Sequence, residues 1–296
     1  MDSRGIFFLL LASLALGCKG RGDEKPVIER DNAQINYNIY GDGGATLLFI
    51  HGAFADQTYW DAQVEHFKED YTVVTVDLPG HGKSGKGRKN WSVRGFADDI
   101  YTVIKRLNLK NVVLIGHSMG ADVALMEATY RPKNIKGFVV IDAYKQAAKR
   151  PSKKQEKFAQ SFFKELKLGF VKTQEDYVNN YLVSDSTPMA VRQKVSASFK
   201  DAYRPMAHEI YPQIFQLYEA QRNLMPELNF KLNLINVNNS PTDEAPLKKY
   251  AAKGYSLKQI NGTSHYPMLE NPSELNRILQ QTLDEIAREA ETGPAY

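Results

Sequence analysis

The sequence predicts an α/β fold: a mostly parallel, doubly covered sheet with an inserted helical cap. Three observations carry this expectation. Short, uniformly apolar segments alternate with helix-period segments from Thr46 to Ile141. The alternation lapses between Tyr144 and Leu228, where helical segments rich in Phe and Tyr take over. It resumes from Leu232 to a closing helix. Strands buried on both faces read as continuous apolar runs, and their parallel neighbours need helical crossovers. A chain of 296 residues, 43% hydrophobic and 24% charged, is long enough for one large core with an appended subdomain.

In chain order, Arg4 precedes the run Ile6 to Leu16, which is followed by Gly17, Cys18 and the polar stretch Lys19 to Lys25. That run is far short of the roughly 20 apolar residues needed to cross a bilayer and suits the centre of a secretion signal. Ala15-Leu16-Gly17-Cys18 resembles the lipobox of bacterial lipoproteins, which implies a signal peptide over 1–18, lipidation at Cys18 and a tether over 19–26. The expectation is an exported protein anchored on the extracytoplasmic side of a membrane, or, without the lipid, a secreted or periplasmic one. Cys18 is the lone cysteine, so no internal disulfide is expected.

The next segment, Gln34 to Tyr40, alternates, with Ile35, Tyr37 and Ile39 on one face. Gly41-Asp42-Gly43-Gly44 follows as its turn, which reads as an edge-type antiparallel hairpin. Thr46–Ile50 and Tyr71–Val76 read as buried strands, and Ser92–Leu107 has helical spacing through Val93, Phe96, Ile100, Val103, Ile104 and Leu107. Val112–Ile115 is a strand running through a tight turn into a helix, and Gly137–Ile141 is a strand ending at Asp142. After the helical stretch come the strand Leu232–Val237, the helix Thr242–Ala252, the strand Tyr255–Ile260 and a final helix from Pro272 to Ala290. The expected organisation is a core of residues 27–143 and 229–296 with a cap of residues 144–228.

The chain's chemistry centres on Gly116-His117-Ser118-Met119-Gly120. A serine on a strained strand-to-helix corner needs neighbours without bulk two residues to either side, and glycine supplies both. The corner exposes the Ser118 hydroxyl at the carboxyl end of the strand, above the first helical N–H groups. Serine is a poor nucleophile unless a base takes its proton, and histidine suits that task near neutrality. Of six histidines, only His265 follows the last strand, in the loop Asn261 to Pro267. The backbone N–H of Met119 can donate to an oxyanion.

These residues, with His51-Gly52, the segment Asp77-Leu78-Pro79-Gly80-His81-Gly82-Lys83-Ser84, and Ser264-His265-Tyr266-Pro267-Met268-Leu269-Glu270-Asn271-Pro272, resemble the α/β-hydrolase superfamily. The likeness is to its single-cap branch of esterases, haloperoxidase-like enzymes and C–C-bond hydrolases, and it runs from about residue 33 to 290. It implies that the Ala53 N–H is the second oxyanion donor, that Phe54 and His117 shape the substrate pocket, and that His51 and His81 brace loops. His66 and His208 carry no functional expectation. Asp77 reads as a turn brace and Asp122 as a buried or cap-contacting group.

The acid of the triad is less determined. In most of the family it follows the strand corresponding to Leu232–Val237, where this chain reads Asn238-Asn239-Ser240-Pro241-Thr242-Asp243. Asparagine cannot carry the charge that stabilises an imidazolium. Asp142, at the end of the strand after the Ser118 unit, is preferred, and Asp243 is the alternative.

The expected protein is therefore a serine hydrolase of a carboxylic ester or related acyl substrate, with an apolar substrate favoured. C–C bond, lactone or peroxidase-type chemistry on the same site is the alternative within the fold. The rival from another class is a non-catalytic ligand-binding protein. The net charge of +4 lies in no long basic block, and the histidines show no metal-ligand spacing. A small-molecule partner is thus expected, with no nucleic acid, metal or cofactor.

Overall fold

A computed structural model of the chain describes residues 27–292. Signal, tether and Cys18 lie outside the described residues. Eight strands form one sheet: β1 (Ile28–Arg30), β2 (Ala33–Tyr40), β3 (Thr46–Ile50), β4 (Thr72–Asp77), β5 (Val112–His117), β6 (Ile135–Ile141), β7 (Leu232–Val237) and β8 (Tyr255–Ile260), in the order β1-β2-β4-β3-β5-β6-β7-β8. The pairs from β4 to β8 are parallel, and β1 and β2 add an antiparallel edge. Every residue of β3, β5 and β7 is buried, which accounts for their unbroken apolar character.

The antiparallel edge differs from the expectation. Gly41 to Gly44 does not close a hairpin, because β4 lies between β2 and β3. The hairpin partner of β2 is upstream: Ile28 pairs with Ile35 across a turn whose residues Asp31 and Asn32 have φ of 53° and 58°. Asx residues tolerate that left-handed backbone, and two in succession are the signature of a tight hairpin turn.

The helices of the core are α1 (Asp61–Phe67), α2 (Val93–Arg106) and α3 (Met119–Tyr130), with α9 (Glu244–Tyr250), α10 (Pro267–Glu270) and α11 (Pro272–Thr292) after the insertion. α2 packs beside α3, while α1 packs against α11, so the sheet is covered on both sides. The insertion between β6 and β7 carries α4 (Lys153–Leu168), α5 (Phe170–Tyr177), α6 (Met189–Lys200), α7 (Arg204–Ile214) and α8 (Leu217–Leu224). Ser152 starts α4 with a capping box closed by Gln155. Ring contacts of Phe162 with Phe158, Phe163, Tyr177, Tyr211 and Phe215 hold the insertion together. This topology places the carboxyl ends of β3, β5, β6 and β7 beneath the insertion, at the crevice where open α/β sheets bind ligands.

Candidate active site

β5 delivers Ser118 at φ 51° and ψ −121°, a left-handed conformation that costs a non-glycine residue about 1–3 kcal/mol. The flanking glycines explain how the corner closes. A Cβ on Gly116 would stand 2.4 Å from the Gly120 carbonyl oxygen, and one on Gly120 would stand 2.4 Å from that of Ile50. The Ser118 N–H donates to the Ile141 carbonyl at 3.2 Å, tying the corner to the end of β6.

His265 lies in the loop between β8 and α10. Its Nδ1 is 2.7 Å from Asp142 Oδ2, which leaves Nε2 as the nitrogen able to exchange a proton with a nucleophile. Asp142 sits just past β6 at φ 41° and is 5% exposed. Its Oδ1 accepts from the Val237 N–H at 3.0 Å and from Lys145 Nζ at 2.9 Å. Burial pushes the Asp142 carboxyl upward, but the His265 hydrogen bond, with the charges of His265 and Lys145, outweighs it and holds the group below the ordinary carboxylate value. It is the ionised partner an imidazolium requires.

Asp243 lies elsewhere. It caps α9 through the Ala245 N–H at 3.1 Å and pairs with Lys149 at 3.3 Å. The asparagine turn after β7 also has a structural part, since Asn239 Oδ1 accepts from Lys145 Nζ at 2.6 Å. One lysine thus bridges Asp142 and the position where the family's acid commonly falls. Only the Asn-rich turn hints at such a cation, and the hint names no partner.

His117 does more than shape a wall. Its Nε2–H donates to the His265 carbonyl at 2.8 Å, and the two rings lie 4.6 Å apart. Burial, reinforced by repulsion from His265, presses the His117 pKa down to about 3, so the ring stays neutral. His51 donates from Nδ1 to the Gly52 carbonyl at 2.7 Å and accepts the Leu78 N–H at Nε2, bracing the loop after β3. Asp77 braces the following turn by accepting from the Gln57 and Lys83 N–H groups at 2.8 and 2.9 Å and from Asn36 at 2.8 Å. Asp122 contacts the cap, accepting from Gln221 of α8 at 2.8 Å.

Glu270 escaped the sequence reading. Its carboxylate accepts from the Ser264 N–H and hydroxyl, from the Tyr266 N–H at 3.3 Å and from the Thr187 hydroxyl at 3.0 Å. It therefore grips the residues on both sides of His265. The π-turn Val178–Leu182 after α5 also reaches the loop, where the Leu182 carbonyl accepts from the His265 N–H at 3.2 Å.

Ser118, His265 and Asp142 line one cavity of about 360 Å³, together with Ala53, Phe54 and Met119. As the first residue of α3, Met119 has an N–H without an intrahelical acceptor. Ala53 precedes Phe54, whose φ of 59° turns the chain. The cap contributes Tyr177, Tyr181, Phe199 and Tyr211 to the wall. Phe158 and Phe162 stand behind this wall and pack against Tyr181, Tyr177 and Tyr211 from outside the cavity.

The profile of a family described as the alpha/beta hydrolase fold matches residues 45–272. The chain is 38% identical over 97 residues to a Haemophilus influenzae protein carrying a provisional esterase/lipase name; the match covers 32% of this chain and 33% of that protein. It is 33% identical over 112 residues to the (E)-2-((N-methylformamido)methylene)succinate hydrolase of Acinetobacter baylyi, covering 38% of this chain and 42% of that enzyme. The matches thus span well under two thirds of the curated relatives' length. Among solved structures, a thermophilic esterase from Thermogutta terrifontis superimposes with a TM-score of 0.73 at 19% identity, over 86% of this chain and 94% of the other. A bromoperoxidase from Bacillus anthracis gives 0.72 at 18% identity, over 87% and 98%. At such identities the structural likeness concerns the fold alone.

Proposed function

This chain belongs to the α/β-hydrolase family, and on that footing we propose that it is a hydrolase that cleaves carboxylic esters through an acyl-enzyme formed on Ser118. One observation carries the reading: an ionised, buried Asp142 holds Nδ1 of His265 at 2.7 Å in the cavity that Ser118 lines from a left-handed corner. Ser118 Oγ attacks the ester carbonyl while His265 Nε2 takes its proton. The tetrahedral oxyanion accepts hydrogen bonds from the Ala53 and Met119 amides, each worth roughly 3 kcal/mol in such sites. Collapse breaks the C–O bond, and His265 returns the proton to the departing alcohol. Water then repeats the sequence on the acyl-enzyme, releasing the acid and restoring the serine. The aromatic lining supports an apolar acyl portion.

A fluorophosphonate probe tests the reading. The native chain is expected to be labelled at Ser118, whereas Ser118→Ala keeps its fold, is not labelled, and turns over a p-nitrophenyl ester about four to six orders of magnitude more slowly. Full residual turnover in that variant would defeat the assignment, and a folded native chain inert to the probe would favour the ligand-binding alternative. We also propose that the chain is exported and lipidated at Cys18, supported by the signal-like run and the lipobox-like Ala15 to Cys18. Mass spectrometry of the mature N-terminus from bacterial membranes should find the lipid there; an unmodified Cys18 would refute it.

A further inference from the structure

The cavity does not end at the serine. A second lobe of about 270 Å³ opens beyond it, sharing Ser118, Met119, Asp142, Ala143, Tyr144 and Ile214 with the first, so that the nucleophile stands on the wall between the two. The lobes differ in chemistry. Cap aromatics dominate the wall of the first; the second also has apolar walls in Phe215, Leu217 and Tyr218, but sets beside them Asp122, Tyr144, Gln221 and Lys149.

We propose that the second lobe binds the alcohol half of the ester and selects a neutral alcohol carrying free hydroxyl groups, held by Asp122 and Tyr144. This inference rests on the esterase reading and names its substrate class. Asp122 and Tyr144 are only 5% and 6% exposed. Gln221 Nε2 donates to one carboxyl oxygen of Asp122 at 2.8 Å. The Tyr144 hydroxyl is buried against the same carboxyl but has no hydrogen-bond partner of sound geometry among the described residues. Tyr144 also stands at φ 63°, a backbone state that side chains adopt only where the surroundings impose it.

A buried hydroxyl without a partner is costly, and a ligand hydroxyl would supply the missing bond. An alkyl group of the same shape would leave both polar groups without new partners. Burial raises the Asp122 carboxyl to about 7, so at neutral pH it either accepts from or donates to a hydroxyl. Lys149 in the same lobe and Lys145, paired to Asp142, disfavour a cationic alcohol such as choline. An apolar acyl chain in the first lobe and a polyol in the second place the carbonyl carbon at Ser118 between them.

The test separates binding from turnover. In the full chain carrying Ser118→Ala, affinities for glycerol monobutanoate and propyl butanoate are measured by calorimetry or ligand-observed NMR. The two esters share the acyl chain and the three-carbon alcohol skeleton and differ by two hydroxyls. The glycerol ester is expected to bind at least tenfold more tightly, and the preference to fall below threefold when Tyr144→Phe or Asp122→Leu is added. Tyr144→Phe removes a hydroxyl that lacks a well-formed bond, so its melting temperature should not drop; a purely structural tyrosine would leave the preference intact. Equal affinity for the two esters, no binding of either, or a preference surviving both substitutions overturns the proposal. A binding preference in a native chain that hydrolyses neither ester would instead remove the esterase reading and leave the lobe's choice of polyols standing.

Discussion

Asp142 and Asp243 are both aspartates near the carboxyl ends of adjacent strands, and their surroundings assign them different work. Asp142 is buried and accepts from His265, Val237 and Lys145; Asp243 is only half-buried and reaches the α9 cap and Lys149, away from His265. Asp142→Asn is therefore expected to lower kcat by about three to four orders of magnitude, because the imidazole loses both its orientation and the charge that stabilises its protonated form. Asp243→Asn should leave kcat within about threefold and at most shave the helix cap, worth about 1 kcal/mol. Ester kinetics on both variants decide this, and a larger loss at 243 would reverse the assignment.

Asp122 has its own signature in the pH dependence of stability. Its folded pKa is raised to about 7 by burial, only partly offset by the Gln221 hydrogen bond and the nearby Tyr144 hydroxyl. The folded chain then holds this proton more tightly than the unfolded chain, whose carboxyl titrates at about 4. Stability falls as pH rises between these two values, and the loss is complete above the upper one. Asp122→Asn removes the titration, so its melting temperature relative to the native chain should be several degrees more favourable at pH 8 than at pH 5. Parallel shifts at both pH values would show that the group ionises alike in both states.

Among elements, the His265 loop depends on pieces distant in sequence. Glu270 at the end of α10 grips Ser264 and Tyr266, the π-turn after α5 receives the His265 N–H, and Thr187 from the cap joins the Glu270 carboxylate. Single-turn π-helical segments recur at functional sites. Glu270→Ala leaves two loop amides without their acceptor and is expected to cut kcat about tenfold or more, because His265 loses its fixed placement. Glu270→Gln should recover part of the loss. An unchanged kcat in the alanine variant would show that the loop is held without it.

For the molecule as a whole, the cap is docked by polar contacts as well as by its aromatics. Glu209 on α7 accepts the Trp91 N–H at 2.8 Å. Gln213 accepts the Val93 N–H at 3.1 Å and donates to the Trp91 carbonyl at 2.9 Å. Helix α7 thereby satisfies the first N–H of α2, which has no intrahelical partner, and the backbone of Trp91 just before the helix. Gln213→Ala is expected to speed hydrogen exchange in α7 and at the start of α2 while the central strands stay protected, since local opening draws on the least buried contacts. Uniform acceleration across the sheet would mean that cap and core open as one unit.

The parts legible in the sequence were those governed by neighbours a few residues apart. The apolar runs of β3, β5 and β7, the glycines around Ser118 and the aromatic insertion follow from burial and from backbone sterics, both of which act locally. The β1–β2 hairpin was misread because Gly41 to Gly44 is the more conspicuous turn, while the Asp31-Asn32 turn that closes the pair is flanked by a three-residue strand. Glu270, Lys145 and the polar lobe around Tyr144 left no distinct pattern, because their meaning lies in what they face. Local composition thus determined the sheet, the corner and the identity of the serine. The tertiary structure decided which carboxylate meets His265, since that pairing spans 123 residues and depends on the alignment of Ile141 with Ile235, which sets where Asp142 emerges beside β7.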